Sequence, residues 1–250
     1  MSARLTIRGL SVNYGGVRAV NDVDISVEPS TIVGLIGPNG AGKTTTIDAI
    51  TGFTASRGHV ELDGELLDGM SAHQRARRGL VRTFQSVELF DDLTVQQNLE
   101  VAATTAHWWS PLVDAIAPRR GRTIEVAWAL EAVGLVDAGS ARPPDLSHGQ
   151  RRLVALARAL VGKPKVLLLD EPAAGLDTDE TAALGQLLRT MPDRGVGVLL
   201  VDHDMSLVLS VCAEVVVLDF GRVIATGAPA EIRRDPTVIA AYLGRSEEAS

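Results

Sequence analysis

The sequence has one cysteine, few aromatic residues and almost no lysine. Among 250 residues, Cys212 is the single cysteine, Phe, Trp and Tyr together make up 4%, and only three of the 24 basic residues are lysines: Lys43, Lys163 and Lys165. A lone thiol cannot close an internal disulfide, which excludes a disulfide-stapled secreted domain and favours a reducing compartment. No apolar run approaches the roughly 18 residues that a membrane-spanning helix needs. The longest, around Val196–Val201 and Val215–Leu218, are far shorter, so the chain is expected neither to cross nor to enter a membrane by itself. Met1–Leu10 carries Arg4 and Arg8 but no apolar stretch, so no signal peptide is visible. A net charge of -7 argues against nucleic acid as the main partner. What is present is ordinary globular usage, 46% hydrophobic and 22% charged, in a chain long enough to bury a sizeable core.

Strands dominate the first sixty-odd residues. Leu5–Val12 and Val20–Val27 alternate apolar and polar positions, with Val23, Ile25 and Val27 on one face, and His59–Leu62 precedes an Asp63-Gly64 turn. Thr31–Ile36 is nearly continuous in apolar residues, as in a strand buried on both faces. A helix is expected over Lys43–Thr51. From about 87 to 160 the periodicity is mostly helical, with a loop-like break over Trp108–Arg122. Three apolar runs, Val166–Leu169, Val198–Val201 and Val215–Leu218, then alternate with helical stretches, which indicates an α/β class with a largely parallel sheet. Cys212 reads as core filling.

Gly37-Pro38-Asn39-Gly40-Ala41-Gly42-Lys43-Thr44 fits the pattern G-x-x-x-x-G-K-S/T. Glycines let consecutive backbone N–H groups face inward, and the following helix adds the positive end of its dipole. Lys43 supplies a point charge to the β- and γ-phosphates, and the Thr44 hydroxyl can ligate Mg2+. One of three lysines in an arginine-rich chain occupies the position that calls for an ammonium. The strand Val166–Leu169 ends in Asp170-Glu171. Ligands of open α/β sheets sit beyond the carboxyl ends of strands. Asp170 would hold Mg2+ through water, and Glu171 would accept a proton from the attacking water.

A phosphate loop with an acidic strand end does not distinguish a kinase, a GTPase or a motor. Leu146-Ser147-His148-Gly149-Gln150 does: it resembles the L-S-G-G-Q signature of ABC-type ATPases and stands about twenty residues before the acidic strand. Locally, Ser147 and Gln150 also form an S-x-x-Q capping box at a helix start. Asp177 after Ala174-Gly175-Leu176 resembles the D-loop of that family, Gln85 in Arg82-Thr83-Phe84-Gln85 its Q-loop, His203 its switch histidine and Tyr14 its adenine-stacking aromatic. Within the family, Arg82-Thr83-Phe84-Gln85, Val201-Asp202-His203-Asp204-Met205 and the tail Asp235-Pro236 to Ala241-Tyr242-Leu243-Gly244 are similar to ATP-binding subunits of branched-chain amino-acid importers, of the type with R-T-F-Q rather than P-E-G-R. Two positions depart from the pattern. His148 replaces a signature glycine, and Asp202 stands where this branch often has Glu. The L-S-H-G-Q form is also similar to urea and short-chain amide importers, which stay open as an alternative.

The resemblance implies one ABC-type nucleotide-binding domain over 1–250. It would have a P-loop (RecA-like) core of mainly parallel sheet over about 1–86 and 161–250, an N-terminal antiparallel β subdomain, and an inserted helical lobe over about 87–160. It implies ATP and Mg2+ as ligands and a head-to-tail dimer with a second ATP-binding subunit, identical or sister. Tyr14 would stack on adenine, and Asn39, Gly40, Ala41, Gly42, Lys43, Thr44 and Thr45 would cradle the phosphates. Thr44, Gln85 and Asp170 would hold Mg2+, Glu171 would be the general base, and His203 would contact the γ-phosphate and attacking water. Ser147, His148, Gly149, Gln150 and Asp177 would act across the dimer interface. The helical lobe would meet membrane-spanning permease subunits, with Leu89, Phe90 and Leu93 as candidate docking residues and Trp108 and Trp109 as a candidate apolar patch. A solute-binding protein would act indirectly, and the chain would work peripherally on the cytoplasmic face of the plasma membrane.

Other classes fit less well. A soluble ABC ATPase acting on DNA or ribosomes typically has two nucleotide-binding halves or a long coiled coil, and this chain shows one of each motif and no heptad run. A GTPase needs N-K-x-D, and no lysine here follows an Asn. A small-molecule kinase leaves the signature, D-loop and His203 unexplained.

Overall fold

A computed structural model describes residues 4–83, 88–105 and 119–243. Its first strands, β1 (Leu5–Tyr14), β2 (Val17–Val27), β4 (Arg57–Leu62) and β5 (Glu65–Leu66), form an antiparallel sheet in the order β2-β1-β4-β5. The alternation in β2 works as its sequence predicts: Val23, Ile25 and Val27 are all buried on one face. The intervening strand β3 (Ile32–Ile36) leaves this sheet and enters another, of six strands.

That second sheet contains β6 (Leu80–Arg82), β7 (Val166–Asp170), β8 (Gly197–Val201), β9 (Glu214–Asp219) and β10 (Arg222–Gly227), in the order β10-β9-β3-β8-β7-β6. Its strands are parallel except for β10, which returns from β9 as an antiparallel hairpin. The central strands β3, β7 and β8 are buried along their whole length, which is why they read as unbroken apolar runs. The alternating side chains serve two cores. Val33, Leu35, Leu168 and Leu199 pack toward the antiparallel sheet and helix α1 (Lys43–Thr51). Ile32, Ile36, Leu167, Leu169 and Leu200 pack toward the helices on the other face.

Those helices are α3 (Val95–Thr105), α4 (Arg119–Ala132) and α5 (His148–Val161), all inserted between β6 and β7, followed by α6 (Thr178–Thr190) and α7 (Met205–Val211). A short α2 (Ala72–Arg77) precedes β6, and α8 (Pro229–Ile232) and α9 (Pro236–Leu243) close the described chain. Helices α3, α4 and α5 pack on one another as a group. The break expected over Trp108–Arg122 does not extend that far, because Arg119–Arg122 already belong to α4. Trp108 and Trp109 lie outside the described residues. Three strands were not evident from the sequence. β5 has two residues, both exposed, β6 has three, and β10 is an edge strand that is half-buried at best. Cys212 is buried beside Gly34, and burial pushes its thiol up to about 12, as expected of core filling rather than a reactive group.

Candidate nucleotide and metal site

Because β3, β6, β7 and β8 are parallel neighbours, their carboxyl ends reach one edge of the sheet. Gly37 follows β3, Thr83 follows β6, Glu171 follows β7 and Asp202-His203 follow β8. A ligand site at that edge is the expected place in an open α/β sheet. The topology thus gathers segments more than 160 positions apart in sequence into one cluster.

The glycines at either end of the phosphate loop are required by close approaches. Gly37 has φ of 152°, and a Cβ there would collide with the Leu218 carbonyl of β9. Gly42 caps α1 with φ of 103°, and its Cβ would lie 2.5 Å from the Ala19 carbonyl of β2. Behind the loop, the Gly221 N–H of the β9–β10 turn donates to the Ala41 carbonyl at 2.9 Å. The phenol of Tyr242, on α9, makes a hydrogen bond with the Gly37 backbone. Burial raises the pKa of that phenol and the hydrogen bond opposes the rise. The loop is therefore fastened by both sheets and by the last described helix.

Lys43 lies buried in the loop's concavity, its Nζ donating to the carbonyls of Gly37 at 2.7 Å and Pro38 at 3.1 Å. Asn39, Gly40 and Thr44 are exposed, Gly42 and Thr45 are half-buried, and Ala41 is buried. Tyr14 ends β1, where β1 and β2 turn beside the loop. It is 52% exposed, and its hydroxyl shares a 3.2 Å hydrogen bond with Thr54. An exposed aromatic face on this hairpin can take a planar ring.

Asp170 is the last residue of β7, with its side chain 1% exposed. Its Oδ2 accepts from Arg82 Nη2 at 2.8 Å, while its Oδ1 is buried and has no hydrogen-bond partner among the described residues. Buried carboxylate oxygens are ordinarily satisfied. One left over beside a phosphate loop and the exposed Thr44 hydroxyl gives hard oxygen donors that fit a water-bearing Mg2+ ion. Gln85, the third expected metal-holding residue, lies outside the described residues.

Glu171 adopts φ of 49°, a left-handed conformation unusual for a residue with a Cβ. Such strain, about 1–3 kcal/mol, persists where surroundings over-determine it and concentrates at active sites. Here its N–H donates to the Val201 carbonyl at 2.7 Å, and its own carbonyl accepts from Arg152 Nη1 at 2.9 Å. His203 is exposed, with Nδ1 3.6 Å from the buried Asp202 carboxylate. Asp202 itself is spent on backbone: Oδ2 accepts from Ala173 N–H and Oδ1 from Asp204 N–H.

Ser147 caps α5 as its sequence predicts, accepting from Gln150 N–H at 3.1 Å while the Gln150 side chain accepts from Ser147 N–H at 3.0 Å. His148 is exposed, and its Nε2 accepts from Arg152 at 3.2 Å. Asp177 caps α6 through a hydrogen bond from Glu180 N–H. The Glu180 carboxylate accepts from Asp177 N–H and from the Ser147 hydroxyl and lies over Gly149. Within one chain, then, the signature segment and D-loop touch each other, on α5 and α6; Ser147 and His148 are open to solvent, whereas Gly149, expected to face a second subunit, is buried under the Glu180 carboxylate.

The residues not anticipated from sequence are those that hold other residues in place. Arg82 belongs to the Arg82-Thr83-Phe84-Gln85 motif, whose resemblance assigns a role only to Gln85. Glu180 and Asp202 act through backbone N–H groups. Asn98, fully buried, donates to the carbonyls of Phe90, Leu93 and Thr94 and accepts from Phe90 N–H. A buried asparagine inside an otherwise amphipathic helix was the available signal. Of the candidate docking residues, Phe90 is exposed with Arg158 over its ring at 5.4 Å, and Leu89 and Leu93 are half-buried.

Comparison with known proteins gives consistent relatives. Residues 20–174 match the family described as "ABC transporter", and residues 222–248 match "Branched-chain amino acid ATP-binding cassette transporter". The chain is 41% identical over 250 residues to the high-affinity branched-chain amino acid transport ATP-binding protein BraF of Pseudomonas aeruginosa, covering 97% of this chain and 98% of BraF. It is 39% identical to LivG of Escherichia coli, a protein of the same description, with the same coverage. Among solved structures, the ADP conformation of MJ1267, an ATP-binding cassette of an ABC transporter, superposes with a TM-score of 0.84 at 27% identity, covering 98% of this chain and all of the other.

Proposed function

Since the chain belongs to the ABC transporter ATP-binding family, and is therefore a nucleotide-binding ATPase, we propose that it hydrolyses ATP at the sheet edge described above to power import of branched-chain amino acids. The observation that carries the site assignment is the convergence of a fastened phosphate loop with a buried acidic strand end bearing one carboxylate oxygen that has no partner among the described residues. Support for the solute is the match of residues 222–248 and the description of BraF and LivG.

The residues divide the work as follows. Tyr14 stacks on adenine, and the loop N–H groups between Asn39 and Thr45, with the start of α1, receive the phosphates. Lys43 exchanges the Gly37 and Pro38 carbonyls for phosphate oxygens. Thr44, Gln85 and Asp170 Oδ1 would hold Mg2+, which when bound would supply positive charge to offset that of the phosphates. Glu171 takes a proton from the attacking water as the water oxygen bonds to the γ-phosphorus and the bond to the bridging oxygen of ADP breaks. The strained backbone of Glu171 fixes that carboxylate's direction, and His203 contacts the water and the γ-phosphate from the next strand.

The exposed start of the signature segment, Ser147 and His148, suits a second role once the Glu180 carboxylate that holds the Ser147 hydroxyl gives way. Ser147 and the N-terminus of α5 present an anion site, and the same segment of a second ATP-binding subunit would complete each site by contacting its γ-phosphate. ATP then joins two chains, and hydrolysis removes the joining contact, a ligand-driven shift between two states. Leu89, Phe90 and Leu93 dock on the membrane-spanning partner, which places the chain at the cytoplasmic face of the membrane. No helix among the described residues is long and apolar enough to cross one.

The reading is tested by co-purifying the chain with its permease subunits in lipid vesicles and adding solute-loaded binding proteins. Stimulation of ATP hydrolysis by a leucine-loaded binding protein is the expected result. Stimulation by a urea-loaded one alone would reassign the solute.

A further inference from the structure

The Arg82 guanidinium joins three segments. Its Nη2 donates to Asp170 Oδ2 at 2.8 Å, its Nη1 pairs with Asp48, and its side chain is only 8% exposed. Asp48 lies on α1, five positions after Lys43, and Arg82 ends β6, immediately before the segment that carries Gln85. The contact therefore ties the phosphate-loop helix to the acidic end of β7 from the strand that leads into the third expected metal-holding residue.

From this geometry we infer that Arg82 is a positioning residue for the metal-holding carboxylate. It engages one oxygen of Asp170, so the other is presented to Mg2+, and through Asp48 it fixes that oxygen relative to the phosphate loop. This rests on the reading of Asp170 as a holder of Mg2+. Two physical points support it. A carboxylate as buried as Asp170 is costly without a compensating cation, and Arg82 supplies one without occupying Oδ1. The guanidinium is a planar fork whose N–H groups reach two acceptors in fixed directions, whereas an ammonium is a point charge on a flexible stem. Bridging Asp48 and Asp170 at once is a task for the fork.

A plain counter-ion role makes the opposite prediction. If Arg82 only balanced charge, its removal would leave a more negative site and tighten Mg2+ binding. If it positions Asp170, removal loosens the carboxylate and weakens binding, as loss of outer-shell partners does elsewhere.

The test uses the full chain and a fluorescent ATP analogue, titrated with MgCl2 and, in parallel, in EDTA. Wild type should bind the nucleotide more tightly as Mg2+ is added. Arg82→Lys, which keeps a charge to satisfy the buried carboxylate, should melt within a few degrees of wild type without nucleotide and keep its metal-free nucleotide affinity. Its half-saturating Mg2+ concentration should rise about tenfold or more. Arg82→Met should show at least the same rise, and Asp48→Asn, which cuts one arm, a smaller one. If Arg82→Met does not fold, the Lys variant decides. An unchanged or lowered Mg2+ half-saturation in Arg82→Lys overturns the positioning role. Nucleotide binding by wild type that is indifferent to Mg2+ overturns the reading of Asp170 itself.

Discussion

Asp202 Oδ2 accepts the backbone N–H of Ala173 at 3.0 Å, so the turn that follows Glu171 hangs from the residue that precedes His203. The other Asp202 oxygen accepts from Asp204 N–H at 2.9 Å. One buried carboxylate thus sets the ends of β7 and β8 against each other, and with them the proposed general base and the proposed γ-phosphate contact. The Asp202 side chain is short, and both of its oxygens are used by backbone donors.

Asp202→Ala leaves those two N–H groups without their acceptor. The Ala173 donor is buried, and unpaired it costs about 1–3 kcal/mol, while the half-buried Asp204 donor can turn to water. Urea unfolding should show a loss of about 1–3 kcal/mol, and ATP hydrolysis should fall while nucleotide binding, which depends on the loop after β3, stays near wild type. Asp202→Asn keeps one acceptor oxygen and should lose less of both. A variant with full stability would mean that water replaces the carboxylate.

Glu171→Gln keeps the shape and the strained backbone but removes the proton acceptor. Phosphate release should fall by about 10²–10⁴-fold, the usual contribution of a positioned base, with nucleotide affinity retained. Because hydrolysis would no longer remove the γ-phosphate, the variant should elute with ATP as a dimer on size exclusion. Normal phosphate release would remove Glu171 from the base role.

At the phosphate loop, two substitutions separate shape from charge. Lys43→Ala preserves the backbone but deletes a charge-assisted contact, so ATP affinity should drop about ten- to hundredfold. Gly37→Ala adds a methyl that the Leu218 carbonyl excludes at a φ of 152°, so the loop must move. That variant should lose ATP binding and also melt earlier, whereas Lys43→Ala should melt close to wild type. Calorimetric titration with ATP and a thermal scan distinguish them.

The contrast between what the sequence revealed and what it concealed has a physical origin. Central strands β3, β7 and β8 are buried on both faces, so their composition alone identifies them. The loop from Gly37 to Thr44 is local, and its glycines answer contacts that any chain with this turn must make. Arg82 is different. Its partners lie 34 and 88 positions away, and the pairing of β6 with β7, together with the packing of α1 against both, brings them together. Likewise Glu180 meets Ser147 across 33 positions because α5 and α6 flank the same strand. The short β6 and the edge strand β10 carry too few buried side chains to leave a pattern.

Asn98 gives a prediction for coupling rather than chemistry. Its amide is fully buried in α3 and closes four hydrogen bonds onto the backbone of Phe90, Leu93 and Thr94. Phe90 and Leu93 are among the residues proposed to meet the membrane-spanning partner, and none of the four bonds touches the phosphate loop. Asn98→Ala removes the side chain that shapes this segment and leaves buried backbone groups unpaired, at about 1–3 kcal/mol for each group that stays dry. Hydrolysis by the isolated subunit, measured below its melting temperature, should remain within about twofold of wild type, because a site remote from the chemistry contributes through positioning alone. In the reconstituted complex, the same variant should lose most of the stimulation by a solute-loaded binding protein. Full stimulation would show that the segment held by Asn98 is not the surface through which the permease is engaged.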